Sequence, residues 1–126
     1  MPMTTSLRLE TSAPDESVRC VALHGELDLD CAYRFDEALR RLEAERPAAI
    51  VLDLRGLVFC DTSGLARLLA LRRRARRDGW RLLMVRGSAA VQRLLAVTAL
   101  SEHFEMVSDT DAALALARRP RARLAS

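Results

Sequence analysis

The run Ile50-Val51-Leu52, resumed at Leu54 and set between Pro47 and Gly56 in AAIVLDLRGLVF, constrains this chain more than any other stretch. Successive residues of a strand point to opposite faces, so a strand apolar at consecutive positions needs cover on both sides of its sheet. WRLLMVRG has the same character further on and predicts a second strand of this kind.

The neighbouring segments supply helices as that cover. In LDLDCAYRFDEALRRLEAERP, Asp28 or Asp30 offers an N-cap, Phe35, Ala38, Leu39 and Leu42 fall on one helical stripe, and Pro47 lies just past the end. Beyond the central strand, Leu65, Leu68 and Leu69 form a second stripe that Gly79 stops. Arg72 and Arg76 continue this stripe, stems on apolar surface and guanidinium groups in water, whereas Arg67 and Arg74 are expected to face solvent. Ser88 caps a third helix carrying Val91, Leu94 and Leu95. FEMV is a short strand, and Ser108-Asp109-Thr110-Asp111 opens an alanine-rich helix ending near Arg118.

Upstream, SLRLET and SVRCVALHGEL alternate apolar and polar residues, which predicts an antiparallel hairpin with Ser12-Ala13-Pro14-Asp15-Glu16 as its turn. The order β-β-α-β-α-β-α-β-α predicts an α/β fold: a mixed, mostly parallel sheet of about 4–5 strands with flanking helices and the antiparallel hairpin at its N-terminal edge. At 126 residues the expectation is one domain over 1–126, with a core over about 7–118 and a frayed C-terminal tail over 119–126.

Composition narrows the function classes. No run approaches the ~18 apolar residues of a membrane span, and MPMTTSLRLETS lacks the layout of a signal peptide, so a cytoplasmic protein without membrane contact is expected. Cys20, Cys31 and Cys60 show neither a paired spacing nor a metal-ligand spacing with His24 or His103, which argues for core packing. All 20 basic residues are arginine, and Arg72 to Arg77 hold a cluster of them, yet the net charge is only +3 and aromatics make up 4%. A nucleic-acid surface would combine such a patch with stacking aromatics or a reading helix, so direct nucleic-acid binding is not expected.

The chemistry-bearing stretch is FCDTSGLARL, where Asp61-Thr62-Ser63-Gly64 joins the central strand to the second helix. In open α/β sheets this is the edge at which sites form. Asp-Thr-Ser-Gly resembles an aspartic-protease loop, but those enzymes pair two such aspartates across a β-rich body. A hydrolase serine prefers Gly-x-Ser-x-Gly with a histidine base and a later acid, and Ser63 lacks the preceding glycine. A phosphate loop requires Gly-x-x-x-x-Gly-Lys, and the chain has no lysine. Glu26, Asp28 and Asp30 could hold a metal, although solvation and capping are commoner for such acids. What remains is a serine in a helix's first turn, where a phosphate meets the helix dipole and free N–H groups. Modification there adds about −1.5 to −2 charges beside Asp61, enough to act as a binding switch without catalytic residues.

The strand and loop VALHGELDLDCA, the strand IVLDLRGLVF and above all DTSGLARLL resemble the STAS domain, in particular the bacterial anti-sigma factor antagonists, from Val18 to about Ala117. The resemblance implies that Ser63 is the serine phosphorylated by a partner anti-sigma factor that is itself a serine kinase of ATPase fold. Thr62 is the alternative acceptor. It implies a partner surface of Glu26, Asp28, Asp61, Thr62, Ser63, Gly64, Leu65 and Arg67. It further implies a phosphatase that resets the switch, no enzymatic activity, no catalytic residues, cofactor or metal, and room for a weak homodimer. Unphosphorylated protein would bind the anti-sigma factor and free a sigma factor. A non-phosphorylated STAS subunit docked in a transport or sensory assembly is the alternative, and an enzyme using Ser63 or Asp61 is a third. Departures from the family pattern are Arg67, where relatives often carry an apolar or small residue, Thr98-Ala99-Leu100 in place of Thr-Gly-Leu, and Ala89-Ala90 where proline is frequent.

Overall fold

A computed structural model describes residues 6–98 and 103–119 of the chain. Its elements are β1 (Arg8–Asp15), β2 (Val18–Leu27), α1 (Ala32–Glu43), β3 (Ala49–Cys60), α2 (Thr62–Asp78), β4 (Arg81–Val85), α3 (Ala89–Val97), β5 (Glu105–Val107) and α4 (Thr110–Ala117). They form a five-stranded sheet in the order β1-β2-β3-β4-β5. β1 and β2 run antiparallel, and every later pairing is parallel.

The sequential strand order decides where the helices go. Parallel crossovers are right-handed, so three successive crossovers advancing in one direction put α1, α2 and α3 on the same face. α4 follows the last strand, makes no crossover, and packs on the opposite face. The apolar run of β3 divides accordingly. Ile50, Leu52 and Leu54 join Phe35, Leu39, Leu68, Leu71, Val91 and Leu95 in the larger core, while Ala49 and Val51 meet Leu83, Val85, Val107 and Ala113 beneath α4. Burial on both faces is why this strand has no alternation.

Several local expectations are corrected. The hairpin turn is only Glu16-Ser17: β1 continues through Pro14 to Asp15, with an irregularity between Ser12 and Asp15. β3 does not end at Gly56 but passes through it to Cys60, with a register shift against β2 between Ala22 and His24. A Cβ on Gly56 would meet the ring of His24 and come within 2.8 Å of the Leu23 carbonyl oxygen, so the glycine allows a close strand approach at a bulge instead of a stop. Neither Asp28 nor Asp30 caps α1. Cys31 occupies that position without a side-chain bond, and the Asp28 carboxylate closes the preceding turn by accepting from Cys31 N at 3.2 Å. The caps expected of α2, α3 and α4 are present: Gly79 ends α2, Ser88 accepts from Val91 N and Asp109 from Ala112 N. Ala99-Leu100 and, of the expected frayed tail 119–126, all residues after Arg119 lie outside the described residues.

Arg74 is buried instead of facing solvent, and Arg67 faces it only in part, with 40% of its side chain exposed. Both turn onto α1, Arg67 to Asp36 at 2.8 Å and Arg74 to Glu43 through two bonds of 2.8 and 2.9 Å. The arginine cluster is largely consumed within the chain. Arg74 is buried, Arg77 pairs with Asp78, and the half-buried Arg72 donates to the backbone carbonyl of His103. Arg76 is exposed, so its stem covers less apolar surface than expected.

Candidate functional site

The carboxyl ends of β2 and β3 bring two loops into contact. Glu26 pairs with Phe59 and Leu27 with Cys60 across the strands, and the Asp61 N–H then donates to the Leu27 carbonyl at 3.3 Å. Asp61 is the N-cap of α2. One carboxylate oxygen accepts from Gly64 N at 2.9 Å, the other from Leu29 N at 3.3 Å, and its backbone carbonyl accepts from Leu65 N at 2.9 Å. A single aspartate thus both starts the helix and fastens the loop after β2 to it. Gly25 carries a φ of 98°, a left-handed backbone that glycine adopts freely, at the register shift that redirects this loop.

Gly64 is buried where α2 crosses the end of β2, and Leu65 (6% exposed) packs into the core behind it. Thr62 is exposed and Ser63 half-buried, in the first turn. No hydrogen bond from the Ser63 hydroxyl is found among the described residues. Glu26, near the end of β2, and Asp28, in the loop that follows it, are half-buried, and Asp30 is exposed. Among the described residues no group of three or more His, Cys, Asp or Glu side chains is placed to hold a metal ion.

The chemistry of the neighbours bears on whether Ser63 could be a nucleophile. His24 is engaged at 2.6 Å by Glu10 of β1 and lies beside Gly56, so it is not a base for Ser63. The Cys60 thiol is pushed up to about 12, first by burial and then by the charge of Asp61, and so stays protonated and inert.

Among the described residues, four of the five large apolar side chains that stand exposed belong to this end of the sheet: Leu29, Tyr33, Val58 and Phe59, with Val97 the exception. A surface groove beside the tetrad is lined by Leu29, Ala32, Tyr33, Asp36, Glu37 and Arg67, among others. Tyr33 and Phe59 carry no motif and were not legible as site residues. The faint sequence signal was an apolar Leu29 inside the acidic turn LDLD, and the apolar run Leu57-Val58-Phe59 at the end of the central strand. The structure therefore places Glu26, Asp28, Asp61, Thr62, Ser63, Gly64 and Leu65 in one corner, and Arg67 one helical turn further along α2.

A family model described as STAS domain matches residues 12–113. Among solved structures, an anti-sigma factor antagonist from Mycobacterium paratuberculosis is 26% identical with a TM-score of 0.78, covering 90% of this chain and 96% of that one. The Bacillus cell fate determinant SpoIIAA in its phosphorylated form is 15% identical with a TM-score of 0.68, covering 86% and 99%. A sulfate transporter family protein from Wolinella succinogenes is 22% identical with a TM-score of 0.74, covering 85% and 89%. At their identities the last two speak to the fold alone.

Proposed function

Since this chain belongs to the STAS domain family, we propose that it is an anti-sigma factor antagonist whose unphosphorylated form binds an anti-sigma factor with serine kinase activity, so that a sigma factor is released. The switch is Ser63. Its hydroxyl oxygen attacks the γ-phosphorus of ATP held by the kinase, the hydroxyl proton passes to a base of the kinase, and ADP leaves. A phosphatase resets the site when water attacks the same phosphorus and inorganic phosphate departs. The chain is the kinase's substrate and needs no cofactor or catalytic residue of its own. We place this cycle in the cytoplasm, carried by a single domain.

One observation carries the reading. A serine hydroxyl without a hydrogen-bond partner among the described residues stands in the first turn of α2, at the end of the sheet that exposes Leu29, Tyr33 and Phe59. An apolar surface of this kind suits a partner, and a phosphate at its centre suits the helix N-terminus while opposing that partner. Like charges juxtaposed at an interface cost several kcal/mol, and about 5.5 kcal/mol inverts a 99:1 occupancy.

The experiment is to mix the protein with an anti-sigma kinase of the same genome and ATP. A single-phosphate mass shift is expected in the wild type and in Thr62→Ala but not in Ser63→Ala. Immobilised Ser63→Ala should retain the kinase and Ser63→Asp should lose it. If neither hydroxyl is modified and Ser63→Asp binds as well as Ser63→Ala, the switch is wrong. The likeness to a sulfate transporter family protein favours a second reading in that case, a STAS subunit that docks to a transport or sensory assembly without phosphorylation.

A further inference from the structure

Two arginines seven residues apart on α2 meet two acids seven residues apart on α1, and the rungs they form are not equivalent. Arg74 and Glu43 make a closed fork, Nε and Nη2 each bonded to a different carboxylate oxygen, with side chains only 7% and 10% exposed. Arg67 and Asp36 share one bond, from Nη1 to Oδ2 at 2.8 Å, and their side chains are 40% and 18% exposed. The second donor and the second acceptor of this rung, Arg67 Nε and Asp36 Oδ1, are buried without a partner among the described residues. A guanidinium and a carboxylate normally close both bonds, so this rung is held below its capacity.

The incomplete rung is the one next to Ser63. Ser63 and Arg67 are i and i+4 on α2 and therefore neighbours on its surface. Helical side chains lean toward the N-terminus, so a reach from Arg67 to an oxygen on Ser63 follows their natural direction. Arg67 is also the one basic residue between Thr62 and Ala70. A phosphate offers it three acceptor oxygens and about twice the charge of Asp36.

Building on phosphorylation of Ser63, we propose that Arg67 is a two-position arm, held by Asp36 in the unmodified protein and transferred to the phosphate once Ser63 is modified. The transfer leaves the Asp36 carboxylate without its partner in the groove that Leu29 and Tyr33 line. One modification then changes two surfaces, adding negative charge at α2 and uncovering it on α1. The other charged groups of this corner are Glu26 at the end of β2, Asp28, Asp30 and Asp61 on the loop and cap, and Glu37 and Arg40 on α1; none of them stands at Arg67's spacing from Ser63 along α2.

The test installs phosphoserine at position 63 during translation, so that no kinase is needed, and follows the phosphate by phosphorus NMR against pH. The second phosphate pKa should lie about half a pH unit lower in the otherwise wild-type chain than in Arg67→Gln. Arg67→Lys should recover part of this difference, and Asp36→Asn should lower the pKa further because the competing carboxylate charge is gone. Equal values in wild type and Arg67→Gln, both folded by near-UV circular dichroism, would overturn the arm. The outcome is separate from the kinase assay. A titration as expected with no kinase acting on Ser63 removes the phosphorylation reading and leaves the chemistry of the arm standing.

Discussion

At Gly64 an added Cβ would lie against the Leu27 carbonyl oxygen and 2.7 Å from the Cys60 sulfur. Alanine gains up to ~1 kcal/mol of helix propensity there, but the obstruction is partly backbone and cannot rotate away, and overpacking costs ~1–3 kcal/mol. Gly64→Ala should therefore lower stability by about 1 kcal/mol or more, read as a reduced urea midpoint at unchanged slope. Cys60 adds a pH dependence. Its thiol ionises near 9.0 in ordinary surroundings and at about 12 in the folded chain. The raised value means that its contribution is complete below pH 9 and is lost as pH rises toward 12, because only the unfolded chain releases the proton in that window. The urea midpoint should fall through this range, and less steeply in Cys60→Ala. The Cys20 thiol, also raised by burial, acts in the same sense.

Among the elements, α1 and α2 show where an apolar stripe underdetermines orientation. Leucine spacing identifies α2 and its buried side, but whether an arginine beside that stripe meets water or a carboxylate depends on the neighbouring helix. Arg74, expected in solvent, forms a buried fork with Glu43. Removing one partner of such a pair strands a buried charge, at ~3–5 kcal/mol, whereas replacing both by apolar residues is often near neutral. Arg74→Ala should thus be strongly destabilised, and Arg74→Met combined with Glu43→Leu markedly less so, by urea denaturation. Equal losses in the two variants would mean that the pair does not carry this energy. The stop of α2 at Gly79 was legible from local chemistry alone, since a glycine just past an apolar stripe is a local signal, whereas the structure identifies Asp61 as the N-cap. The second bond of Asp61, to Leu29 N, was not legible, because that partner arrives from 32 residues upstream.

For the whole molecule, sequential strand order and right-handed crossovers place α1, α2 and α3 on one face. With β2 and β3 parallel neighbours, their carboxyl ends bring the end of β2 and the loop residues Asp28 and Leu29 against the start of α2. The apolar residues of this corner stand exposed among the described residues, which supports a role in association. Leu29→Asp should weaken capture of the proposed anti-sigma factor partner by the unmodified protein at least tenfold while leaving the thermal midpoint nearly unchanged, because Leu29 is 71% exposed. A thermal loss in step with the binding loss would instead make Leu29 a structural residue.

By itself the sequence determined the periodicities, the caps of α2, α3 and α4, the two strands buried on both faces, and the placement of Ser63 in the first turn of a helix. Each of these is decided by residues within a few positions of one another, so the chain carries them locally. Only the tertiary structure decided that Arg67 and Arg74 face α1, that Asp61 ties two loops together, that β3 runs through Gly56, and that Leu29, Tyr33 and Phe59 gather near Ser63. These depend on what packs across from a residue, and the partners come from strands and helices far away in the chain, fixed only when the sheet is assembled.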